Sequence, residues 1–358
     1  MEPTEAPQGK DVLEGKRVLV TGGTGSLGRV LIRRILSGEL GQPAQVVVFS
    51  RDEVKQHEMR LAHMNRRAAT DDVVFEEADL HFRIGDVRDI HAFSSVLGNA
   101  DVVFHAAALK QVPACEYAPY EAIQTNVLGA ENMVNAIREQ KLEVETVIGV
   151  TTDKACKPVN VMGMTKALQE RILSRANLDS GPTRYLTARY GNVLASRGSV
   201  VPLFHEQIRS GGPVTITTPE MTRFLISLDD AVDTVFAALV EGMPGETYIP
   251  RAPAARITDV ASALIGDRGI EVKEIGVRPG EKTHEVLVSE EEATRTVVRG
   301  DFMAIGPILP ELRTTIGSAP AFGAAEYSSA NDLLDRDAVA ELIRSNELTI
   351  EHEPVFHP

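Results

Sequence analysis

A glycine-rich run follows the first apolar segment of the chain and precedes a helical stretch. It reads TGGTGSLG over residues 21–28, directly after the segment RVLV. Gly22 permits a tight turn, Gly25 lets the backbone approach a pyrophosphate, and Gly28 lets the helix pack closely on the strand. The phosphates would lie at the positive N-terminal end of that helix. The run predicts a dinucleotide-binding site, to which we assign Gly22, Thr24, Gly25, Ser26, Leu27 and Gly28.

Short apolar runs alternate with helix-length segments along the first half of the chain. Because these runs do not alternate with polar residues, both faces of the sheet they form should be covered. Strands separated by helices are typical of parallel sheets with helical crossovers. The sequence therefore predicts an α/β fold, with a Rossmann-type doubly wound parallel sheet and a smaller C-terminal substrate-binding part. The six predicted strands are RVLV at 17–20, VVVF at 46–49, FRIG at 82–85, DVVFHA at 101–106, TVIGVT at 146–151 and YLTARY at 185–190.

The alternating pattern loosens after residue 190, where the elements become shorter and are broken by glycine and proline. Beyond residue 320, the chain combines a loop with one helical stretch, DRDAVAELIR. We expect the second part to cap the first and to be able to return strands or helices to it. The predicted organisation is an N-terminal extension at 1–15, an NADP-binding domain at 16–190, a substrate-binding part at 191–320 and a C-terminal tail at 321–358.

Composition narrows the functional classes. The net charge of −14 over 358 residues repels nucleic acid and anionic lipid, so we expect neither as a partner. The sequence lacks a membrane-spanning apolar stretch and a signal pattern at its start, which predicts a cytoplasmic protein. The two cysteines, Cys115 and Cys156, lie outside any CxxC or Cys/His cluster, so we expect no metal site and no disulfide framework.

The ends of the next three predicted strands complete the expected cofactor site. The second strand ends in Ser50 and Arg51, where an acid would favour a free ribose 2′-hydroxyl; the arginine instead suits a 2′-phosphate. We therefore expect NADP, with NAD as the alternative. After the third strand, Asp86 and Val87 are placed to meet the adenine. The small residues after the fourth strand let backbone pass close to the cofactor, and these are Ala106, Ala107 and Ala108.

The residues with catalytic chemistry follow the fifth predicted strand. Thr152, Asp153 and Lys154 end that strand, and Met162 and Lys166 follow on the next predicted helix. Positions 162 and 166 are four apart, so they share one helical face. Lys166 can reach the nicotinamide ribose and add positive charge near the reacting centre.

This arrangement resembles the extended short-chain dehydrogenases, in which a Ser or Thr ends the strand and Tyr-x-x-x-Lys follows on the helix. Six blocks in order, spread over roughly residues 16–340, are similar more narrowly to UDP-N-acetylglucosamine 4,6-dehydratases of polysaccharide biosynthesis. The blocks are SRDEVKQHEM, HAAALKQVPACEY, TDKACKPVNVMGMTK, RYGNVLASRGSVVP, MTRFLISLDDAV and RPGEKTHEVLVS. The resemblance implies a homo-oligomer, either a dimer or a hexamer.

The resemblance also implies a reaction. Oxidation at C4 acidifies the C5 hydrogen, water is lost across C5 and C6, and hydride returns to C6, with the C5-inverting outcome favoured over retention. Asp153 would give a proton to the departing 6-hydroxyl. Lys154 would act as the C5 base, with its pKa depressed by Lys166 and the nicotinamide cation. Met162 stands where most such enzymes have tyrosine and cannot take the 4-hydroxyl proton. The candidates for that role are Asp153, Lys154, or Thr152 through water to Lys166.

The remaining assignments also rest on the resemblance. Arginines would clamp the diphosphate, and Glu281 would meet the nucleotide ribose. Asn126 and Lys110 are assigned to the cofactor, and Lys110 also to the sugar. The expected contacts with a UDP-sugar are Lys110, Asn192, Arg197, Val201, Arg223, Arg278 and Glu281.

Two other classes of function share the cofactor site. A UDP-hexose 4-epimerase or keto-reductase would prefer tyrosine at position 162 and would not need the Asp153-Lys154 pair. A non-catalytic NADP-binding protein would need neither the acid nor the two lysines.

Overall fold

The computed structural model describes residues 11–64, 79–179, 181–194, 199–313 and 320–352. The strands are β1 Arg17–Thr21, β2 Gln45–Ser50, β3 Leu80–Ile84, β4 Val102–His105, β5 Thr146–Thr152, β6 Arg184–Tyr190, β7 Asn192–Val193, β8 Val214–Ile216, β9 Thr222–Ile226, β10 Thr247–Pro250, β11 Ala254–Arg256, β12 Val272–Glu274, β13 Val286–Val288, β14 Thr296–Arg299, β15 Phe302–Ile305 and β16 Tyr327–Ser328. The α-helices are α1 Ser26–Leu36, α2 Glu53–His63, α3 Ile90–Leu97, α4 Val112–Tyr117, α5 Pro119–Ala122, α6 Gly129–Glu139, α7 Val161–Ala176, α8 Val200–Arg209, α9 Leu228–Glu241, α10 Ile257–Ile265, α11 Glu290–Ala293 and α12 Arg336–Ser345.

The main sheet contains nine of the strands that the structure describes, in the order β14-β15-β10-β6-β5-β4-β1-β2-β3. The seven from β3 to β10 are parallel, and β15 runs antiparallel to β10. The strand order reverses between β1 and β4, so the loops after these two strands separate and leave a crevice. This sheet confirms the predicted Rossmann-type α/β fold, and all six predicted strands are present.

Helices cover both faces of the sheet, which explains why its strands are apolar on both sides. One apolar core joins the sheet to α1, α2 and α9, with Leu31 and Val235 at its centre. The other joins the opposite face to α3, α6 and α7, with Phe93 and Leu173 buried. Because parallel strands share a direction, the carboxyl ends of β1, β4, β5 and β6 meet at one edge and position the site there.

The second half of the chain divides between the main sheet and a separate small core. β10, β14 and β15 extend the main sheet, although they lie in the predicted substrate-binding part. The separate core joins α8, α10 and α12 around Phe204, Leu264 and Ile343. The predicted tail at 321–358 thus supplies β16, which pairs with β13, and α12, which packs in this core. The domain boundaries themselves stay predictions.

Across the described ranges, no helix combines the length and the apolarity that crossing a lipid bilayer requires.

Candidate active site at the carboxyl edge of the sheet

The glycine-rich loop connects β1 to α1 with a close backbone approach. Gly22 has a φ of +68°, and a Cβ there would lie 2.7 Å from the backbone nitrogen of Ala107. A Cβ on Gly28 would lie 2.5 Å from Gly23 Cα. Helix α1 begins after Gly25 with no side chain capping its first N–H groups and no acidic residue in its first turn. These glycines let the loop, which we call the glycine cradle, pack tightly against neighbouring backbone. The uncapped N-terminus of α1 beside it fits a pyrophosphate.

The tip of β2 places Ser50 and Arg51 beside Asp86. Gln56 Nε2 donates to Ser50 Oγ at 2.9 Å, which fixes the serine. The Arg51 side chain is half exposed, and its Nη1 lies 3.5 Å from Asp86 Oδ2. Burial alone would raise the pKa of Asp86, but hydrogen bonds from Arg88 and the charge of Arg51 hold that pKa below its ordinary value. The arginine therefore keeps a flexible, solvent-facing guanidinium beside an ionised carboxylate.

Two of the predicted cofactor residues serve the packing of the protein. The side chain of Val87 is buried against α6, since a Cβ on Gly129 would come within 2.8 Å of it. Asn126 is fully buried, and its amide group bonds both the N–H and the C=O of Leu109 and also Thr165 Oγ1. Asn126 therefore shapes the loop after β4, in which Lys110 is exposed at the next position.

The end of β4 is tied to the end of β1. Ala106 N donates to Thr21 O, and Ala107 N donates to Thr21 Oγ1, each at a distance of 3.2 Å. His105 is fully buried with Nδ1 3.0 Å from the same hydroxyl. Burial lowers the pKa of His105 to about 3, so this histidine is neutral and acts in packing. Residues 106–108 are half-buried and line the crevice at the strand-order reversal.

Asp153 and Lys154 form an ion pair at the carboxyl end of β5. Asp153 is 0% exposed, and its Oδ1 accepts hydrogen bonds from Thr152 Oγ1 at 2.8 Å and from Lys154 Nζ at 3.1 Å. Its Oδ2 is buried and has no hydrogen-bond partner among the described residues. A Cβ on Gly191 would lie 3.5 Å from that oxygen, so the glycine keeps the space beside it open.

Lys154 contacts carboxylates from two directions. Its Nζ lies 3.4 Å from Glu285 Oε1 and donates to Asn192 Oδ1 at 3.2 Å. Burial alone would lower the pKa of Lys154, but the charges of Asp153 and Glu285 raise it above its ordinary value. We expected a depressed pKa from neighbouring cations. That expectation is wrong for this structure, because the charges of Asp153 and Glu285 outweigh both burial and the charge of Arg223.

Sequence reasoning missed Glu285. Its carboxylate is 2% exposed, and it belongs to the block RPGEKTHEVLVS, in which we had singled out Arg278 and Glu281. The second acidic residue of this block, four positions after Glu281, was the only signal. Contact with Lys154, which lies 131 positions earlier in the chain (285 − 154), cannot be inferred from local spacing.

Helix α7 buries both Met162 and Lys166, the first against α4 and α5 and the second against β5. Asn160 caps the helix by accepting from Gly163 N at 2.7 Å. A Cβ on Gly163 would lie 2.2 Å from Lys154 O, so this glycine lets the helix start directly against the turn that follows β5. Met162 is buried in a small apolar cluster with Cys115 and Ala122. The methionine thus fills a packed position close to the turn.

Lys166 lies deeper in the protein than an exposed helix lysine would. Its Nζ donates to Val150 O and to Gln169 Oε1, each at 2.8 Å. Burial lowers the pKa of Lys166 to about 8, against the raising effect of the Glu170 charge. A lysine with this pKa exchanges its proton readily near neutral pH.

The residues predicted to contact the substrate have different surroundings in the structure. Asn192, on β7, accepts a hydrogen bond from Lys154, and Arg223, on β9, is buried with its Nη1 bonded to Thr222 O and Thr283 O. Val201 is fully buried in the small core, so its side chain is not free to contact a ligand. Arg197 lies outside the described residues.

Arg278 and Glu281 lie together on a loop that docks against the start of α7. Asn160 Nδ2 donates to Gly280 O at 2.7 Å, which attaches the loop to the helix cap. Glu281 Oε2 accepts from Thr217 Oγ1 at 3.3 Å, whereas Arg278 is exposed. The loop therefore covers one side of the crevice and presents a cation toward solvent.

A buried network of charged side chains connects β5 and β6 to the second half of the chain. The Arg189 guanidinium, on β6, bonds Glu170 of α7 at 2.6 Å and Glu292 of α11 at 2.8 Å. Thr151 Oγ1 donates to the Glu170 carboxylate at 2.7 Å. The network holds β5, β6, α7 and α11 in fixed relation, which positions the residues at the strand ends.

Several known proteins are similar to this chain in fold and in sequence over most of its length. The model of the polysaccharide biosynthesis protein family matches residues 18–307. The chain belongs to this family. The resemblance to extended short-chain dehydrogenases of the polysaccharide-biosynthesis type is thereby confirmed.

Individual members and relatives of the family bear different names. A UDP-glucose 4-epimerase of Rickettsia conorii is 46% identical over 295 residues, which cover 81% of this chain and 82% of that protein. The X-ray structure of Pen from Bacillus thuringiensis has a TM-score of 0.84 at 32% identity and covers 94% of this chain and 99% of Pen. A dTDP-glucose 4,6-dehydratase of Streptomyces venezuelae, solved with NAD bound, has a TM-score of 0.63 at 21% identity and covers 75% of this chain and 86% of that one. The last likeness concerns the fold alone.

Proposed function

We propose that the chain is an NADP-dependent nucleotide-sugar 4,6-dehydratase that converts UDP-N-acetylglucosamine to a UDP-2-acetamido-2,6-dideoxy-4-hexulose. The observation that carries this proposal is the buried Asp153–Lys154 ion pair at the carboxyl end of β5. Elimination of water needs a proton donor for the leaving hydroxyl and a base for C5, and a 4-epimerase needs neither. Burying such a pair costs free energy unless further hydrogen bonds compensate it, and Asp153 Oδ2 has no such bond among the described residues.

The glycine cradle supports a dinucleotide cofactor. Gly22 and Gly28 allow backbone approaches that a Cβ would prevent, and the α1 N-terminus has no side-chain cap. Arg51, half exposed at the tip of β2, would bind the 2′-phosphate and favour NADP over NAD. When bound, the nicotinamide supplies hydride removal from C4 and hydride return to C6. Lys166, whose amine is already near that edge, would orient the nicotinamide ribose.

One proton transfer within the pair prepares both catalytic groups. Moving a proton from Lys154 Nζ to Asp153 across their 3.1 Å hydrogen bond gives a neutral amine and a neutral acid. The amine then takes the C5 proton, and the electron pair of the broken C–H bond moves toward the C4 ketone. Asp153 gives its proton to the 6-hydroxyl, which leaves as water. The two residues return to the ion pair, so the elimination consumes no net protons.

The proton of the 4-hydroxyl needs a different acceptor, because the Met162 thioether has no basic site. The Lys166 amine, with its pKa lowered to about 8 by burial, suits this task through a water held by Thr152. Asp153 and Lys154 are the other two candidates, and both would then have to exchange an additional proton before elimination.

Cations and amides near the crevice would hold the UDP group. Arg223 and Arg278 would meet the diphosphate, and Glu281 would accept hydrogen bonds from the uridine ribose. Asn192 would act beside the sugar, since it already contacts the Lys154 amine. These assignments predict losses of substrate affinity without loss of cofactor affinity when the residues are changed.

A 4-epimerase is the second candidate, and the name of the Rickettsia conorii relative at 46% identity favours it. One reaction separates the two. Purified protein is incubated with NADP and UDP-N-acetylglucosamine, and in parallel with UDP-glucose, in deuterated water and followed by proton NMR. The dehydratase gives a 4-keto-6-deoxy product with solvent deuterium at C5, whose coupling constants distinguish inversion from retention. An epimer that retains hydrogen at C5 and its 6-hydroxyl would overturn the proposal.

A further inference from the structure

Glu285 is a buried carboxylate that none of the steps above uses. Its side chain is 2% exposed, and its backbone N–H and C=O bond Ser329 Oγ and Ser329 N at 2.9 and 2.8 Å. These two contacts fix the residue directly before β13. The carboxylate therefore points at Lys154 from a rigid backbone.

The two oxygens of Glu285 have different surroundings. Oε1 lies 3.4 Å from Lys154 Nζ. Oε2 has no hydrogen-bond partner among the described residues, and Lys282 Nζ lies 3.6 Å from it. Lys282 donates instead to Cys156 O at 2.7 Å. A carboxylate with a purely structural task would bond both of its oxygens, since buried polar atoms are generally paired.

The charges around Lys154 come from every element that packs against it. Asp153 faces it from the end of β5, Glu285 from the start of β13, and Arg223 from β9. Asn192 on β7 contributes a neutral oxygen. Asp153, Glu285 and Arg223 together surround Lys154 with a net negative charge. Of the two anions, Glu285 is the one that takes no part in the proton transfer between Lys154 and Asp153.

We propose that Glu285 is a positioning residue that keeps the Lys154 amine protonated and aligned until the proton passes to Asp153. The proposal rests on the proposed function, because it gives Lys154 its role as the C5 base. Glu285 itself stays ionised throughout, so no proton is gained or lost at this residue. Its fixed charge sets how easily the amine becomes neutral, and it stabilises the ammonium that forms when the C5 proton is taken.

The test measures the protonation of Lys154 directly and needs no turnover. Cofactor-free protein is treated at pH 8.5 with formaldehyde and cyanoborohydride, which modify neutral amines, and methylation at Lys154 is followed by mass spectrometry. In Glu285→Gln, the loss of one charge within 4 Å lowers the pKa of Lys154 by at least about one unit, so methylation becomes about tenfold faster or more. The exposed Lys141 serves as the reference amine in each sample.

Two variants control for charge and for folding. Glu274→Gln removes one negative charge from the exposed strand β12 and should leave the Lys154 rate at its wild-type value. Glu285→Asp restores a carboxylate and should return the rate most of the way to wild type. Equal rates in Glu285→Gln and wild type, or equal acceleration in Glu285→Gln and Glu285→Asp, would overturn the proposal.

The pH dependence of turnover gives a second, independent reading. The reactive pair carries one proton, so its alkaline limb reports the loss of that proton from Lys154. In Glu285→Gln this limb should move to lower pH by about 1 to 3 units. A uniform loss of rate with an unmoved limb would show a merely structural role. If wild type leaves UDP-N-acetylglucosamine unchanged, the dehydratase proposal fails while the methylation result still decides the charge state of Lys154.

Discussion

The amine of Lys166 donates to the main-chain oxygen of Val150, on β5, at a distance of 2.8 Å in the protein interior. This contact takes the place of the water that normally hydrates the amine of an exposed helix lysine. Burial lowers the pKa of Lys166 to about 8. An unfolded lysine holds its proton to about pH 10.4. Between these two values the unfolded chain binds more protons at this residue, so stability rises with pH there.

Lys166→Met removes this contribution. Relative to the variant, wild-type cofactor-free protein should gain roughly 3 kcal/mol of unfolding free energy between pH 8 and 10.5, following the 1.36 kcal/mol per pKa unit of proton linkage. Urea unfolding of both proteins at pH 7.5 and 10.5 measures the difference. Parallel changes in the two proteins would show that Lys166 is protonated in the folded state over the whole range.

Asp153→Asn should lower turnover by about 100- to 10,000-fold, because it removes the proton donor. Lys154→Ala should do the same and should also destabilise the protein by about 3 kcal/mol, because it leaves buried Asp153 and Glu285 without their shared cation. Initial rates and urea unfolding separate the two effects. Cofactor titration by fluorescence is the control, since neither residue lies in the glycine cradle. Near-normal rates in Asp153→Asn would contradict its role as the acid.

Arg51→Ala should weaken NADP binding by about tenfold or more while changing NAD binding little, because a charge-assisted contact to the 2′-phosphate is lost. Dissociation constants for NADPH and NADH, measured by fluorescence, give the ratio. Arg33→Ala is a matched control, because Arg33 is an exposed arginine in the last turn of α1 that pairs with Asp229. Equal weakening of both cofactors would mean that Arg51 acts only through its contact with Asp86.

Met162→Leu should retain substantial activity, because the swap preserves volume in the apolar cluster with Cys115 and Ala122 and should cost less than about 1.5 kcal/mol. Met162→Tyr adds a hydroxyl beside Lys166 but overfills the same cluster, at a cost of about 1 to 3 kcal/mol. Initial rates across pH at saturating substrate, with unfolding midpoints, test both. An inactive Met162→Leu beside a fully active Met162→Tyr would show that the sulfur is not a packing residue.

The parts of the fold that local sequence determines were predicted well. Strands β1, β2, β4 and β5 are mostly apolar on both faces because helices cover both faces of the sheet, and that property is visible in each run by itself. The glycine-rich loop was equally visible, since Gly28 packs against the backbone of Gly23 and Gly22 has a φ of +68°, which favours glycine. Asp153 and Lys154, which we propose as the catalytic pair, stand side by side in one short block and were visible for the same reason.

The electrostatics of the site depended on contacts that cross the chain. The pKa of Lys154 was expected to fall and instead rises, because the charge of Asp153 and, from the second half of the chain, that of Glu285 outweigh burial. The Arg189 network with Glu170 and Glu292 was also missed, since its members lie on β6, α7 and α11 and none carries a motif. Asn126 and Val87 were assigned to the cofactor, but their side chains hold neighbouring protein segments. Only the tertiary structure shows which polar groups are satisfied internally.

The place of β10 beside β6 has a practical consequence for dissecting the protein. A fragment that ended at residue 190 would contain every glycine of the cradle but would expose the whole β6 edge, whose backbone groups now pair in part with β10. Unpaired edges of this kind recruit other chains and aggregate. The N-terminal half is therefore not a transplantable nucleotide-binding module, and any engineered exchange of substrate specificity has to keep β10, β14 and β15 with the sheet that they complete.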